Sequence, residues 1–225
     1  MTISSFQTVF KKRPNKDRIW IILMVLVFII PTILNAGYGI VGFMFYRLQY
    51  KISTEMYGHL ISMWFAVKFF SQMVVLPFLS KTLKFRDTTI MILGLAPALL
   101  GFFGEAFFSD IWALFVIWSV FYLLYFNIFT TTRSAMSKLM DPAQIGKAFS
   151  LLGVLEACLA LVAKPFYGLL YQASLDIFAG MWILISNGIL LVALIIAIAL
   201  HFGMKRSQEE IERDNKMENL ETKLP

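Results

Sequence analysis

The sequence is poor in the residues from which enzymes in water build their sites. It holds one cysteine, Cys158, and two histidines in 225 residues, so neither a disulfide framework nor a Cys-based zinc site can form within the chain. No His or Cys pair has metal-ligand spacing. A G-x-S-x-G elbow, a phosphate-binding loop and an Asp pair suited to intramembrane proteolysis are also missing. No enzyme activity and no cofactor is therefore expected. Charge is scarce as well: 15% of residues are Asp, Glu, Lys or Arg, and they gather in the first 18 positions, in short loops and in the tail. What fills the rest is apolar, with 59% hydrophobic residues and 22 Phe and a mean hydropathy of +0.73. A water-facing surface of this size does not accommodate that composition, so the lipid bilayer is the expected solvent. The net charge of +6 lies beside the apolar runs, where it orients membrane spans, and nucleic acid is not an expected partner.

Six runs are long enough to cross about 30 Å of hydrocarbon as helices: 19–45, 57–79, 88–108, 111–132, 146–170 and 177–202. They lack the strict alternation of barrel strands. The chain thus divides into a basic N-terminal segment (1–18), a six-span bundle (19–202) and a charged tail (203–225), with a possible three-plus-three division at Ser109 and Asp110. Lys11, Lys12, Arg13, Lys16 and Arg18 precede span 1. Lys81, Lys84 and Arg86 follow span 2, Arg133, Lys138 and Lys147 follow span 4, and Lys205 and Arg206 follow span 6. These regions share one side, while the turns after spans 3 and 5 hold only Asp110 and Asp176, so both termini are expected in the cytosol.

Three ionisable residues fall at mid-span depth: Lys68 in span 2, and Glu156 and Lys164 in span 5. Each costs roughly 2.5 to 3.5 kcal/mol on insertion scales, so they should face one another, a partner helix or water. Eight residues at about 100° each place Lys164 about 80° round the helix from Glu156, close enough to line one cavity at different depths. Two readings stand: a substrate and proton pathway, or an ion pair that only fixes packing. On the first, Glu156 carries the proton and pairs with Lys68 or Lys164. Gly153, Ala157, Ala160, Lys164 and Gly168 form a stripe that allows close helix approach. Lys68 shares a polar face with Ser71 and Gln72. Asn35, Asn127 and Asn187 are weaker signals, because a membrane-buried amide is often a helix-helix hydrogen bond. Asn35 lies among Pro31, Gly37, Gly39 and Gly42, a stretch that can unwind locally or simply kink. Glu105 and Asp110 are expected to stay hydrated at the outer turn. The aromatic residues Trp112, Trp118, Tyr122, Tyr125 and Phe126 read as packing and interface belt, and His59 as interfacial.

The run Arg133-Ser134-Ala135-Met136-Ser137-Lys138-Leu139, with Phe149-Ser150 at the start of span 5 and Leu170-Tyr171-Gln172-Ala173-Ser174-Leu175 after it, resembles solute carrier family 46, the proton-coupled folate transporter and its relatives, within the major facilitator superfamily. The close resemblance covers 133–175 and a looser one all six spans. It implies one six-helix half of a superfamily bundle, the C-terminal one, in which the helices equivalent to spans 1, 2, 4 and 5 line the central cavity. It further implies proton-coupled symport of an organic anion such as a folate-like solute, in the plasma or lysosomal membrane. The second six-span half would come from another chain, a homodimer or a longer product. Arg133 coincides with an arginine that the family uses in coupling and substrate binding. The family's histidine in the first span of this half is replaced by Asn35, and the loop 79–87 lacks the glycines of the superfamily's gating loop. The expected pathway is Asn35, Lys68, Gln72, Asn127, Arg133, Glu156 and Lys164. The alternative is a truncated, non-transporting membrane protein that docks on a full-length transporter or another membrane partner.

Overall fold

The computed structural model describes residues 17–108 and 110–221, and within them all regular structure is helical. Lys11, Lys12, Arg13, Lys16 and Ser109 lie outside the described residues. The chain forms an all-α bundle of α1 (Asp17–Gln49), α2 (Thr54–Thr82), α3 (Asp87–Phe107), α4 (Ile111–Phe121), α5 (Asn127–Lys138), α6 (Pro142–Leu175) and α7 (Met181–Glu221). Five of these, all but α4 and α5, are long and apolar enough to cross a membrane. The helix starts follow local chemistry. Ser53 accepts the Met56 amide at 3.1 Å, Asp110 accepts that of Ala113 at 3.0 Å, and Pro142 opens α6 where its missing N–H is harmless. Contrary to the unwinding considered near Asn35, α1 runs unbroken through Pro31 and the glycines.

The expected fourth span is not one helix. After a π-type turn at Ile117–Phe121, the backbone passes through turns at 122–126 before α5 begins. The bonds there run from Tyr125 N to Tyr122 O (3.2 Å), Asn127 N to Leu124 O (3.1 Å) and Ile128 N to Tyr125 O (3.2 Å). Neither Pro nor Gly occurs between 111 and 132. The break is held instead by what packs on it. On α3, Gly94, Ala98, Gly101 and Glu105 repeat at four-three-four spacing and are all buried. A Cβ placed on Gly94 meets the Leu124 carbonyl oxygen at 2.7 Å, and one on Gly101 meets the Tyr122 ring at 2.7 Å. The missing side chains of α3 are the space into which the broken segment fits.

One end of the bundle collects the basic loops. Lys138 pairs with Asp87 at 2.7 Å, His201 lies 3.0 Å from Thr88 Oγ1, and Gly203 abuts Trp20, so the starts of α1 and α3 meet the end of α5 and the distal part of α7. Lys84 in this region takes φ 53°, a left-handed conformation that glycine adopts more readily. At the other end Phe107 stacks on Phe178. Residues 203–221 continue α7 as helix.

The helices are unequally covered. In their most apolar stretches 50% of α3 is buried in the bundle, but only 11% of α2 and 17% of α6. The inner seam of α6 runs through Ala148, Leu152, Ala163, Tyr167 and Tyr171, with Tyr167 pressed against Gly37 of α1. Its stripe at Gly153 and Gly168 meets nothing within 4 Å, so close packing on another of the described helices is not where that stripe is used.

The glycine contacts give a direct test. Gly94→Ala sets a methyl against a backbone oxygen that no rotamer change can move, and should cost about 1–3 kcal/mol. Gly188, which faces open space, is the control: thermal unfolding in detergent should fall for Gly94→Ala and not for Gly188→Ala.

Candidate functional site

The site side chains fall into three groups, and the residues expected to form one pathway are spread among them. At the break, α2 supplies the hydrogen bonds that the interrupted backbone needs. Ser71 Oγ donates to the Leu123 carbonyl, Asn127 Nδ2 donates to Ser71 Oγ at 2.8 Å, and Gln72 Nε2 reaches the Phe126 carbonyl at 3.5 Å. Without water, a carbonyl at membrane depth must find a donor in the protein. Ser71, Gln72 and Asn127 therefore act first as helix-helix bonds. Asn187 does the same for α3, donating to the Leu99 carbonyl at 3.0 Å.

The second group is charged and only partly covered. Arg133 of α5 pairs with Glu156 of α6 at 3.2 Å and lies over the Phe28 ring at 5.0 Å. The two side chains retain 38% and 53% of their accessible surface, so the pair is not sealed. Lys68 sits 5.7 Å from the centre of the Phe126 ring, and Lys164 is exposed with no partner among the described residues. The expected pairing of Glu156 with Lys68 or Lys164 is thus corrected. Helical spacing placed Lys164 near Glu156 along α6, but the cation that reaches the carboxylate comes from the neighbouring helix. His59 stays exposed, 3.9 Å from Glu55.

The third group was missed. A cavity of about 110 Å³ opens between α1, α2, α3 and α4, with Asn35, Tyr38 and Tyr46 from α1 and Tyr57, Ile61 and Trp64 from α2. Phe102 of α3 and Trp118, Tyr122 and Tyr125 from the broken span close it. Of the aromatics read as packing and interface belt in span 4, Trp112 remains 74% exposed, while Trp118, Tyr122, Tyr125 and Phe126 pack inward. Behind the cavity wall is Glu105. It is fully buried rather than hydrated. Tyr46 Oη donates to its Oε1, Tyr122 Oη donates to its Oε2 at 2.6 Å, and Tyr50 Oη donates to its main-chain carbonyl at 3.0 Å. Among the described residues it has no cationic partner. Its nearness to the end of the span suggested hydration. The stronger signal was the helical face, because Glu105 continues the row Gly94, Ala98, Gly101, and a small-residue row faces protein.

No family model matches the chain. Curated proteins do. Solute carrier family 46 member 2 of Mus musculus is 30% identical over 126 residues, 56% of this chain and 26% of that protein. The protein of the same name from Canis lupus familiaris is 29% identical over 111 residues, 49% of this chain and 23% of its own. The lysosomal proton-coupled steroid conjugate and bile acid symporter SLC46A3 of Gallus gallus is 29% identical over 198 residues, 86% of this chain and 41% of its own length. Over part of its length the chain is similar to curated members of solute carrier family 46, and it spans less than half the length of the curated relatives it matches.

The bonds at the break are separable by mutation. Ser71→Ala removes the donor to Leu123 and the acceptor for Asn127 together, and should cost about 0.6 to 1.7 kcal/mol by the range measured for such bonds in membranes. Because both bonds pass through Ser71, Asn127→Ala added to Ser71→Ala should cost less than Asn127→Ala alone. A double-mutant cycle on thermal stability in detergent reads the coupling.

Proposed function

We propose that this relative of solute carrier family 46 works as one six-span half of a secondary transporter that couples protons to an organic anion. The anion is a folate-like solute or, as in the name of the chicken relative, a steroid conjugate or bile acid. The observation that carries the reading is the placement of charge. Lys68, Glu156 and Lys164 belong to α2 and α6, the two spans least covered by the rest of the bundle, and Arg133 reaches the same open side through Glu156. Ionisable groups at membrane depth do not face lipid when a watered cavity or a partner is available. A second half against α2 and α6 would turn this face into a cavity wall, with the unpacked Gly153 and Gly168 letting it approach. In this reading the orientation is that of the basic loops, with both termini cytosolic.

The Arg133–Glu156 pair gives such a cavity a coupling device. With Glu156 ionised, the guanidinium is occupied by the carboxylate. Protonation of Glu156 releases Arg133 to take the solute's anionic group bidentately. Solute and proton then bind together, which is the requirement for symport. Lys68 and Lys164 add positive potential along the path.

The test uses the chain in proteoliposomes, as a verified monomer and as assembled with its second half, with radiolabelled estrone sulfate and folate as probes. The assembled protein should take up at least one of them faster with acid outside, and the monomer neither. Glu156→Gln should keep uptake but lose most of its acceleration by acid, because the amide leaves Arg133 free at every pH. Arg133→Ala should lower uptake by about tenfold or more at unchanged protein abundance. Saturable uptake by the monomer overturns the half-transporter reading. An assembled protein that moves neither anion favours the non-transporting, docking subunit.

A further inference from the structure

The aromatic cavity plays no part in that reading. It is walled by the described helices on their inner side, and needs no second half to exist. We propose that it is a binding site for a small organic cation of the alkylammonium class, held by aromatic ring faces in front of the Glu105 carboxylate.

Five tyrosines, two tryptophans and a phenylalanine line the space. Such rings present negative π-faces, and several converging on one volume favour a diffuse positive charge over an anion. Behind two of them lies a carboxylate with 0% exposure. Its hydrogen-bond donors are the hydroxyls of Tyr46 and Tyr122, both lining residues. O–H donors stabilise a carboxylate without neutralising it, so when Glu105 is ionised its field extends through those rings into the cavity. A carboxyl buried this way is charged when an opposite partner is present and otherwise holds its proton, so a cation in the cavity and the ionised form of Glu105 favour each other. Here no Lys, Arg or His among the described residues supplies one, and the open volume is bounded by the two tyrosines that hold the carboxylate.

Two further features narrow the class. The Tyr125 hydroxyl, on a residue 3% exposed, and the Tyr38 hydroxyl are buried without a hydrogen-bond partner, and both residues line the cavity. They suit a ligand that also carries a polar group. The volume, about 110 Å³, is on the scale of the engineered cavity of about 150 Å³ that admits benzene, which fits a methylated ammonium head and excludes a polycyclic solute. A bare metal ion is a poor match. Among the described residues no three His, Cys, Asp or Glu side chains gather, and ring faces do not replace the oxygen shell of a hard cation.

The experiment needs no transport and so fails or succeeds separately from the proposed function. The full chain in lipid nanodiscs is titrated with choline and with 3,3-dimethylbutan-1-ol, its neutral isostere, following tryptophan fluorescence and heat. Trp64 and Trp118 line the site and report its occupancy. Choline should bind saturably and about tenfold or more tighter than the isostere. Glu105→Gln should remove most of that preference. Tyr57→Leu, at a half-buried lining position, should weaken choline by about fivefold or more with little change in stability. Equal affinity for the two probes, no saturable choline signal, or a preference that survives Glu105→Gln overturns the proposal. If Glu105→Gln does not fold, choline binding unchanged in Tyr57→Leu overturns it.

Discussion

A carbonyl group in hydrocarbon has to be paired by the protein, and this constraint organises the bundle around the break at 122–126. The interrupted span exposes main-chain acceptors at Leu123 and Phe126, and the polar side chains of α2 are placed where they meet them. The glycine face of α3 lets the same segment come close enough to be covered. Two consequences follow from that one discontinuity. Tyr122 and Tyr125 project from turns rather than from a continuous helix, and so close the aromatic cavity. Beyond the turns α5 starts afresh, which sets the register that carries Arg133 toward α6.

The two least covered helices follow a different logic. In α6 the apolar seam from Ala148 to Tyr171 packs inward, and Tyr167 fixes its distance from α1 by filling the space over Gly37. Its remaining faces carry Gly153, Glu156, Lys164 and Gly168, a combination that neither lipid nor a tight internal interface selects for. Small residues permit close approach and charges require a polar surrounding, so the two together describe a surface made for something besides acyl chains. In α2 the division is along the helix: Ser71 and Gln72 are spent on the break, while Lys68 lies one turn earlier over Phe126.

Hydropathy made the helical class and most span positions legible, because span length is set by the bilayer and needs no knowledge of contacts. The loops' basic residues likewise placed the described ones at one end. The break was not legible. The segment from Ile117 to Phe126 is apolar and aromatic but for Ser119, without Pro or Gly, and what interrupts it sits on α2 and α3. Glu105 was misplaced for a related reason: its partners Tyr46 and Tyr122 are 59 and 17 residues away, and only the row of small residues on its own helix pointed inward. The partner of Glu156 was not legible either, since periodicity within one helix says nothing about the side chain arriving from the next.

The two carboxylates therefore differ in kind. Glu156 and Arg133 form a pair open to its surroundings, and such pairs are worth about 1 kcal/mol or less. Glu105 is held by hydroxyls from α1 and from the broken span, and its main chain is tied by Tyr50. Moving it would unpair several buried polar groups at about 1–3 kcal/mol each. A group fixed this firmly is suited to define a site, and a group held this lightly is suited to switch. Their separation in one small bundle follows from burial: the row of small residues draws Glu105 inside, while Glu156 sits on a helix whose inner seam is already filled by Leu152, Ala163 and Tyr167.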